Sequence, residues 1–323
     1  MYESKNETIR WIEGTALGVT LRNINFVMPH AHEKMIEITM CLEGCVTFSY
    51  CFEEFKLRTG EFILVDRDTH YLYSEGGALC ASFYIDLEQD RGIYREFIDQ
   101  MFVCEGTADS EVPYNTADHK KLRGILLAIL EYLLKYDRTD RRFVEDIWNA
   151  TDRLMDLIYY RFDICQWSSR ENYMTEKTLQ RLKKIVEYML QHCNETVTLK
   201  HVAELTGVTE GYMSSMLSKY AIGFNNILTY IRSWKAERML LTTDMSIAEI
   251  SAECHFSSPK YMYAAFEFWY NCKPNEFRRK YRNEMKKDNV EMLVEITDAQ
   301  PQIDGLVKQQ LISMYMEREE LYD

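Results

Sequence analysis

The sequence predicts a mixed α+β chain: an N-terminal β-barrel or sandwich with two appended helices, then an all-α module holding two helix-turn-helix units. Three observations carry this. Residues from about 15 to 88 form short β-branched and aromatic runs such as 36-IEITM-40 and 46-VTFSY-50, broken at Gly44, Gly60 and Gly76-Gly77. From about 118 the apolar spacing becomes helical. The segment 209-TEGYMSSML-217 recurs as 258-SPKYMYAAF-266, 49 residues later.

Several short strands at the N-terminal spacing build a small sandwich or barrel. Within it, His30 and His32 stand two apart and share one face of a strand. Glu37 and Gly44 follow, and His70 lies ten residues after Gly60. Three imidazoles and a carboxylate are donors that a divalent metal accepts. The alternatives are polar barrel residues or a metal-free pocket. No cofactor is expected, and His30, His32, Glu37 and His70 are the ligands should a metal bind. The expectation is a small organic effector, because barrels of this size hold one ligand. Tyr71, Tyr73, Phe83 and Tyr84 are its candidate walls, with ordinary core as the bland alternative.

Leu122, Leu126, Ile129 and Leu133 recur at helical spacing, as do Val144, Ile147, Thr151, Leu154 and Ile158. Helices over about 118–136 and 140–164 are expected to pack on the β unit, to form a homodimer contact, or both. Polar residues 166–178 read as a linker.

Each copy of the 49-residue repeat opens on a hydroxyl residue able to cap a helix. Each is preceded by a short amphipathic helix, 198-TLKHVAELTG-207 and 246-SIAEISAECHF-256. Ser246 and Glu249 have capping-box spacing, and Pro259 suits a first helical position. Helix, tight turn and second helix make the helix-turn-helix plan. The segment 224-FNNILTYIRSWKAERMLL-241 reads as a long helix joining the two units. After about 287, Ile303, Leu306, Val307, Leu311 and Met314 form a helical stripe. That tail is expected to pack on its own chain. A partner contact, or a cover over the basic face, is the alternative.

The net charge of −13 opposes nucleic acid, but its distribution reverses that reading. Residues 1–174 carry −11, residues 175–287 carry +5 and residues 288–323 carry −7. A basic module sits between acidic flanks. Nine scattered cysteines without a C-x-x-C pair argue against a disulfide framework or zinc ribbon. No apolar run is long enough to span a bilayer. The expected setting is the cytoplasm, with no membrane partner.

Two resemblances sharpen the expectation. The spacing His30-x-His32-x4-Glu37-x6-Gly44 resembles the first cupin motif, and 60-GEFILVDRDTH-70 loosely resembles the second, with Asp66 and Asp68 where proline and glycine are usual. Residues from about 179 to 282 resemble the DNA-binding module of AraC/XylS regulators. The matching skeleton is Val202-Ala203, Gly207, Tyr212-Met213, Phe224, Arg232, Ala236, Leu240, Ile247, Ile250, Phe256, Phe266, Pro274 and Phe277-Arg278. The resemblance implies a cupin-like effector-binding and dimerisation domain (1–165), a linker (166–178) and a double helix-turn-helix domain (179–287); the acidic helical extension (288–323) lies beyond where that module normally ends. It further implies a ligand-responsive transcription regulator, dimeric, contacting DNA and RNA polymerase.

The sequence departs from that family at His255, Asn271 and Ala221, where glycine is usual. Ala264 and Glu267 stand where arginine and lysine are frequent. The expected DNA-facing residues are Glu210, Ser214, Ser215 and Ser218 on the first recognition helix, and Lys260, Tyr263 and Ala264 on the second. Lys200, Lys219, Lys235 and Lys260 are set for phosphate, joined by the 278–282 cluster unless that is a solvated helix end; Arg232 and Arg278 stand at family positions that the resemblance implies are structural. Two rival readings stand beside the regulator. One is a degenerate relative that has lost specific DNA binding and acts through protein partners. The other is a cupin-type metalloenzyme.

Overall fold

Strands β1 (Leu17–His30), β2 (Met35–Glu43), β3 (Cys45–Tyr50), β4 (Glu53–Arg58), β5 (Phe62–Val65) and β6 (His70–Asp86) follow one another, with a short β7 (Glu105–Gly106) after a 3-10 turn at Tyr94–Asp99. The computed structural model describes residues 8–319 except 33, 51, 66–67, 100–101, 103, 110–114, 137–140, 163–174 and 221. Asp66, Ala221 and the linker stretch 166–174 therefore lie outside the described residues.

All pairings are antiparallel, and β6 is the spine. Its first part pairs with β3, its last part with β2, and β1 runs along its other edge. The register shows that the sheet folds over. Glu37 pairs with Tyr84, yet its carboxylate lies 3.0 Å from His70, fourteen residues earlier on β6. Fourteen extended residues would span about 46 Å. The strand bends where its ladder to β1 jumps from Ala78 to Tyr73. Gly77 there has φ +78°, which glycine adopts without strain.

Folding over gives the sheet two buried faces. Val46, Phe48, Leu57, Ile63 and Leu72 fill the space between its layers. Ile38, Met40 and Phe83 point outward, against helices α1 (Ala117–Lys135) and α2 (Arg141–Arg161). Leu122, Leu126, Ile129, Leu133, Ile147, Thr151, Leu154 and Ile158 are all buried within this one chain. The stripes read as a dimer contact are thus already covered, and they supply no argument for a second copy.

The helical half runs α3 (Glu176–His192), α4 (Leu199–Leu205), α5 (Glu210–Tyr220), α6 (Phe224–Thr242), α7 (Ile247–Glu253), α8 (Pro259–Trp269) and α9 (Pro274–Glu284). Residues 176–178, expected in the linker, instead form the first turn of α3, capped by Thr175. The Ser246–Glu249 capping box forms in full, whereas the Ser258 hydroxyl makes no cap bond. His255 (φ 57°) and Asn271 (φ 52°) hold left-handed turns that histidine and asparagine visit more readily than most residues.

The tail corrects the expectation of a purely helical extension. Residues Val290–Val294 form β8, which pairs with β1 from Leu21↔Val294 to Phe26↔Val290. Helix α10 (Gln300–Glu319) then lies along α1, where Gln310 Nε2 donates to the Lys120 carbonyl at 3.0 Å. Ala299, Ile303 and Leu306 enter the same core as α1 and α2. The helical module is therefore inserted into the β domain and held at both ends.

Candidate functional site

Two places bring together the residues that carry chemistry. The first is inside the folded sheet. His30 Nε2, His32 Nε2 and His70 Nε2 lie 3.5, 3.3 and 3.0 Å from one oxygen, Glu37 Oε2. All four side chains are buried. The other oxygen, Oε1, accepts from the Thr39 hydroxyl at 2.8 Å. Two of the imidazoles are fixed from behind: His30 Nδ1 lies 2.8 Å from the Met28 carbonyl and His70 Nδ1 lies 3.0 Å from the Asp68 carbonyl. A carbonyl only accepts, so each Nδ1 carries the hydrogen. The neutral ring would then aim a lone pair at a carboxylate oxygen. A shared proton or a cation between them resolves that repulsion.

Burial alone would raise the Glu37 carboxyl. The charge of His70, with hydrogen bonds from His30, His32 and His70, outweighs it and holds Glu37 well below the usual carboxylate range. Burial pushes His70 down, and so does the neighbouring His30, against the pull of Glu37. The donor atoms of His30, His32 and Glu37 lie within 4.8 Å of one another, and imidazole with carboxylate is a set that zinc and similar ions take. Metal analysis of the purified protein distinguishes ion from proton.

Three of the four expected walls are elsewhere, because side chains alternate along a strand. His70 stacks on Phe48 (ring centroids 4.9 Å), so its neighbour Tyr71 points the other way. Tyr71 and Tyr73 stack on each other and pack against the helical module, with Tyr71 and Tyr281 at 5.6 Å. Phe83 faces α1 and α2. Tyr84, one residue on, is the aromatic that meets the cluster, at 5.7 Å from His32. Arg22, also buried, donates to the Tyr84 hydroxyl at 3.1 Å. A cleft of about 300 Å³, lined by none of these residues, opens between Gly60, Lys120, Arg123, Leu306 and Gln310.

The cluster adjoins the contact between the two halves. Thr69, next to His70, donates its backbone N–H to Glu237 Oε1 of α6 at 3.1 Å. Tyr270 donates its hydroxyl to Glu237 Oε2 at 2.9 Å. Burial raises the Glu237 carboxyl, and these two hydrogen bonds oppose the rise. Lys280 pairs with Glu54 at 3.3 Å, and Phe52 packs on Phe277 at 6.2 Å.

The second place is the outer face of α5 and α8. Met213, Met216 and Leu217 are buried, as are Met262, Ala265 and Phe266. On α5 this leaves Glu210, Ser214, Ser215, Ser218 and Lys219 exposed. On α8 the exposed stripe is Lys260, Tyr261, Ala264, Glu267 and Phe268. Tyr263 is only half-exposed, and its hydroxyl accepts from Asn275 Nδ2 at 3.1 Å. Tyr261 takes the outward position expected for Tyr263.

Lys200 is exposed, but Lys235 is half-buried along α6. Most of the 278–282 cluster is spent internally. Arg278 donates to the carbonyls of Leu240 and Met245, and Arg282 to Leu240 and Asp244, which closes the end of α6. Lys280 is held by Glu54, and Arg279 remains exposed. Arg232 likewise binds the carbonyls of Cys193 and Glu195. Among the described residues, no helix is long and apolar enough to cross a membrane.

Comparison with known proteins agrees with the helical half. A family model described as a helix-turn-helix domain matches residues 202–280. The regulatory protein PocR of Salmonella typhimurium is 30% identical over 100 residues, 31% of this chain and 33% of that protein. The uncharacterized HTH-type transcriptional regulator YdiP of Escherichia coli is 24% identical over 138 residues, 42% of this chain and 45% of that protein. The chain thus spans about a third to a half of the curated relatives it matches. Among solved structures, fatty-acid-bound ToxT of Vibrio cholerae is 11% identical with a TM-score of 0.41, covering 84% of this chain and 97% of that one.

Proposed function

We infer that this chain, whose residues 202–280 form an AraC-type helix-turn-helix domain, is a transcription regulator that lays α5 and α8 in successive major-groove segments of DNA. The observation that carries this is the repeated outer face. Two helices 49 residues apart bury equivalent positions and expose equivalent ones. The +5 charge of the module supports the same reading. The interior histidine cluster is its sensing site, for a small organic ligand or a cation. The Thr69–Glu237 hydrogen bond supports that assignment, because any shift of His70 displaces the backbone donor that α6 depends on.

Grip on phosphate is weak on α8. Glu267 would be repelled by the backbone, and Ala264 reaches no phosphate. Glu267→Lys is therefore expected to tighten DNA binding with little regard to sequence. It should steepen the salt dependence by about one counterion. Lys260→Ala should weaken binding. Titrating the full chain with duplex DNA over a salt series measures both. A chain that binds no duplex even at low salt would replace the regulator with a protein that acts through protein partners.

A further inference from the structure

The outer face of α8 raises a question of what it reads. Its exposed stripe holds one cation, Lys260, at the helix start, and one carboxylate, Glu267, two turns on. The rest is apolar: Tyr261 is 62% and Phe268 67% exposed, with Ala264 between them. A folded chain gains nothing by exposing two large rings on one short helix. The equivalent positions of α5 are Tyr212, Ser215 and Lys219. The guanidinium of Arg181 lies 5.8 Å from the Tyr212 ring, whereas Tyr261 stands clear at the start of α8.

Base edges in the major groove are met by the first turns of a recognition helix. Guanine is read by arginine or lysine donating to O6 and N7, and adenine by asparagine or glutamine. The α8 stripe has no arginine, asparagine or glutamine, and its single lysine lies at the end where phosphate also passes. What the stripe does offer is apolar surface, and the one apolar group in the major groove is the C5-methyl of thymine.

We propose that the second helix-turn-helix reads thymine methyl groups through Tyr261 and Ala264, in the first turns of α8, and so selects an A·T-rich half-site. This rests on the DNA-binding reading above and names the sequence class it selects. The serine hydroxyls of α5 bond either base edge, so the first half-site is the more permissive of the two. Each methyl removed from water is worth about threefold to fivefold in affinity, and two contacts give about tenfold or more.

The test uses the full chain. Sites are selected from a random duplex pool, and the selected duplex is then remade with deoxyuridine in place of thymidine, which removes only the methyl. The expected result is an A·T-rich half-site and about tenfold weaker binding of the uracil duplex. Tyr261→Gln, at an exposed position that leaves the fold intact, should bind the thymine duplex more weakly and shrink the uracil penalty. Selected sites without thymine enrichment, or equal binding of the uracil duplex, overturn the proposal while leaving the regulator reading in place. Absence of binding to every duplex at low salt sinks both. If Tyr261→Gln and Phe268→Ser then abolish self-association in sedimentation, the rings contact protein instead.

Discussion

Truncation after Lys287 is expected to unfold the β domain, not merely to shorten the chain. Strand β8 satisfies the edge of β1 over Leu21 to Phe26. Its Glu291 lies 3.5 Å from the guanidinium of Arg22, which is otherwise buried. Asn289 accepts the Met28 N–H at 2.8 Å. Beyond the strand, Ala299, Ile303 and Leu306 are core residues of the N-terminal half. Burying isoleucine and leucine side chains stabilises by about 1.5–3 kcal/mol each. Against a net stability of about 5–15 kcal/mol, loss of the whole tail is decisive. The single change Ile303→Ala should cost about 2–5 kcal/mol. Chemical denaturation of the Ile303→Ala protein and thermal unfolding of the truncated one measure these effects. A truncated chain that melts like the intact one would show the tail to be dispensable.

The same tail marks where the sequence stops being legible. Val290–Val294 pairs with residues some 270 positions earlier, and nothing local announces such a partner. The segment's alternation is broken by Met292-Leu293, and its acidic neighbours read as solvated chain. The helical half was legible because its signals are local. The 49-residue repeat, the Ser246–Glu249 capping box and the apolar spacing of α5 and α8 all lie within one or two turns of what they determine.

Single-residue phase was harder to read than element type. The structure brings together His30 at the end of β1, His32 just after it, Glu37 on β2 and His70 on β6. Of the expected walls only Tyr84 meets them, because adjacent strand residues face opposite ways: Tyr71 belongs to the interface with the module and Phe83 faces the helices. On α8 one residue turns the helix by about 100°, which separates Tyr261 on the outer face from Tyr263 against α9. Arg278 holds the structural place that the family resemblance implies, whereas the internal role of Arg282 is not legible locally, because its acceptor, the Leu240 carbonyl, is about forty residues away.

Substituting Glu37 should have the largest effect of any single change inside the sheet. It is the one carboxylate that all three imidazoles address, and all four groups are buried. Glu37→Ala leaves the histidines without their counter-charge and opens a void, at a cost of about 3–5 kcal/mol. Glu37→Gln keeps the volume and removes the charge, so it isolates the electrostatic part. The pH dependence has a defined sign. Glu37 sits well below its unfolded value, which is near 4.3. Its stabilisation is thus fully present above that pH and is lost as pH falls through the lower folded value. His70 is depressed too, so protonating it below about 6.5 costs stability in the same direction. The wild-type chain should therefore weaken on acidification. Its advantage over Glu37→Gln should be widest near neutral pH and close as pH drops below about 4. Urea midpoints of both proteins across that range measure it. A gap that stays constant into acid would mean that Glu37 acts through packing alone.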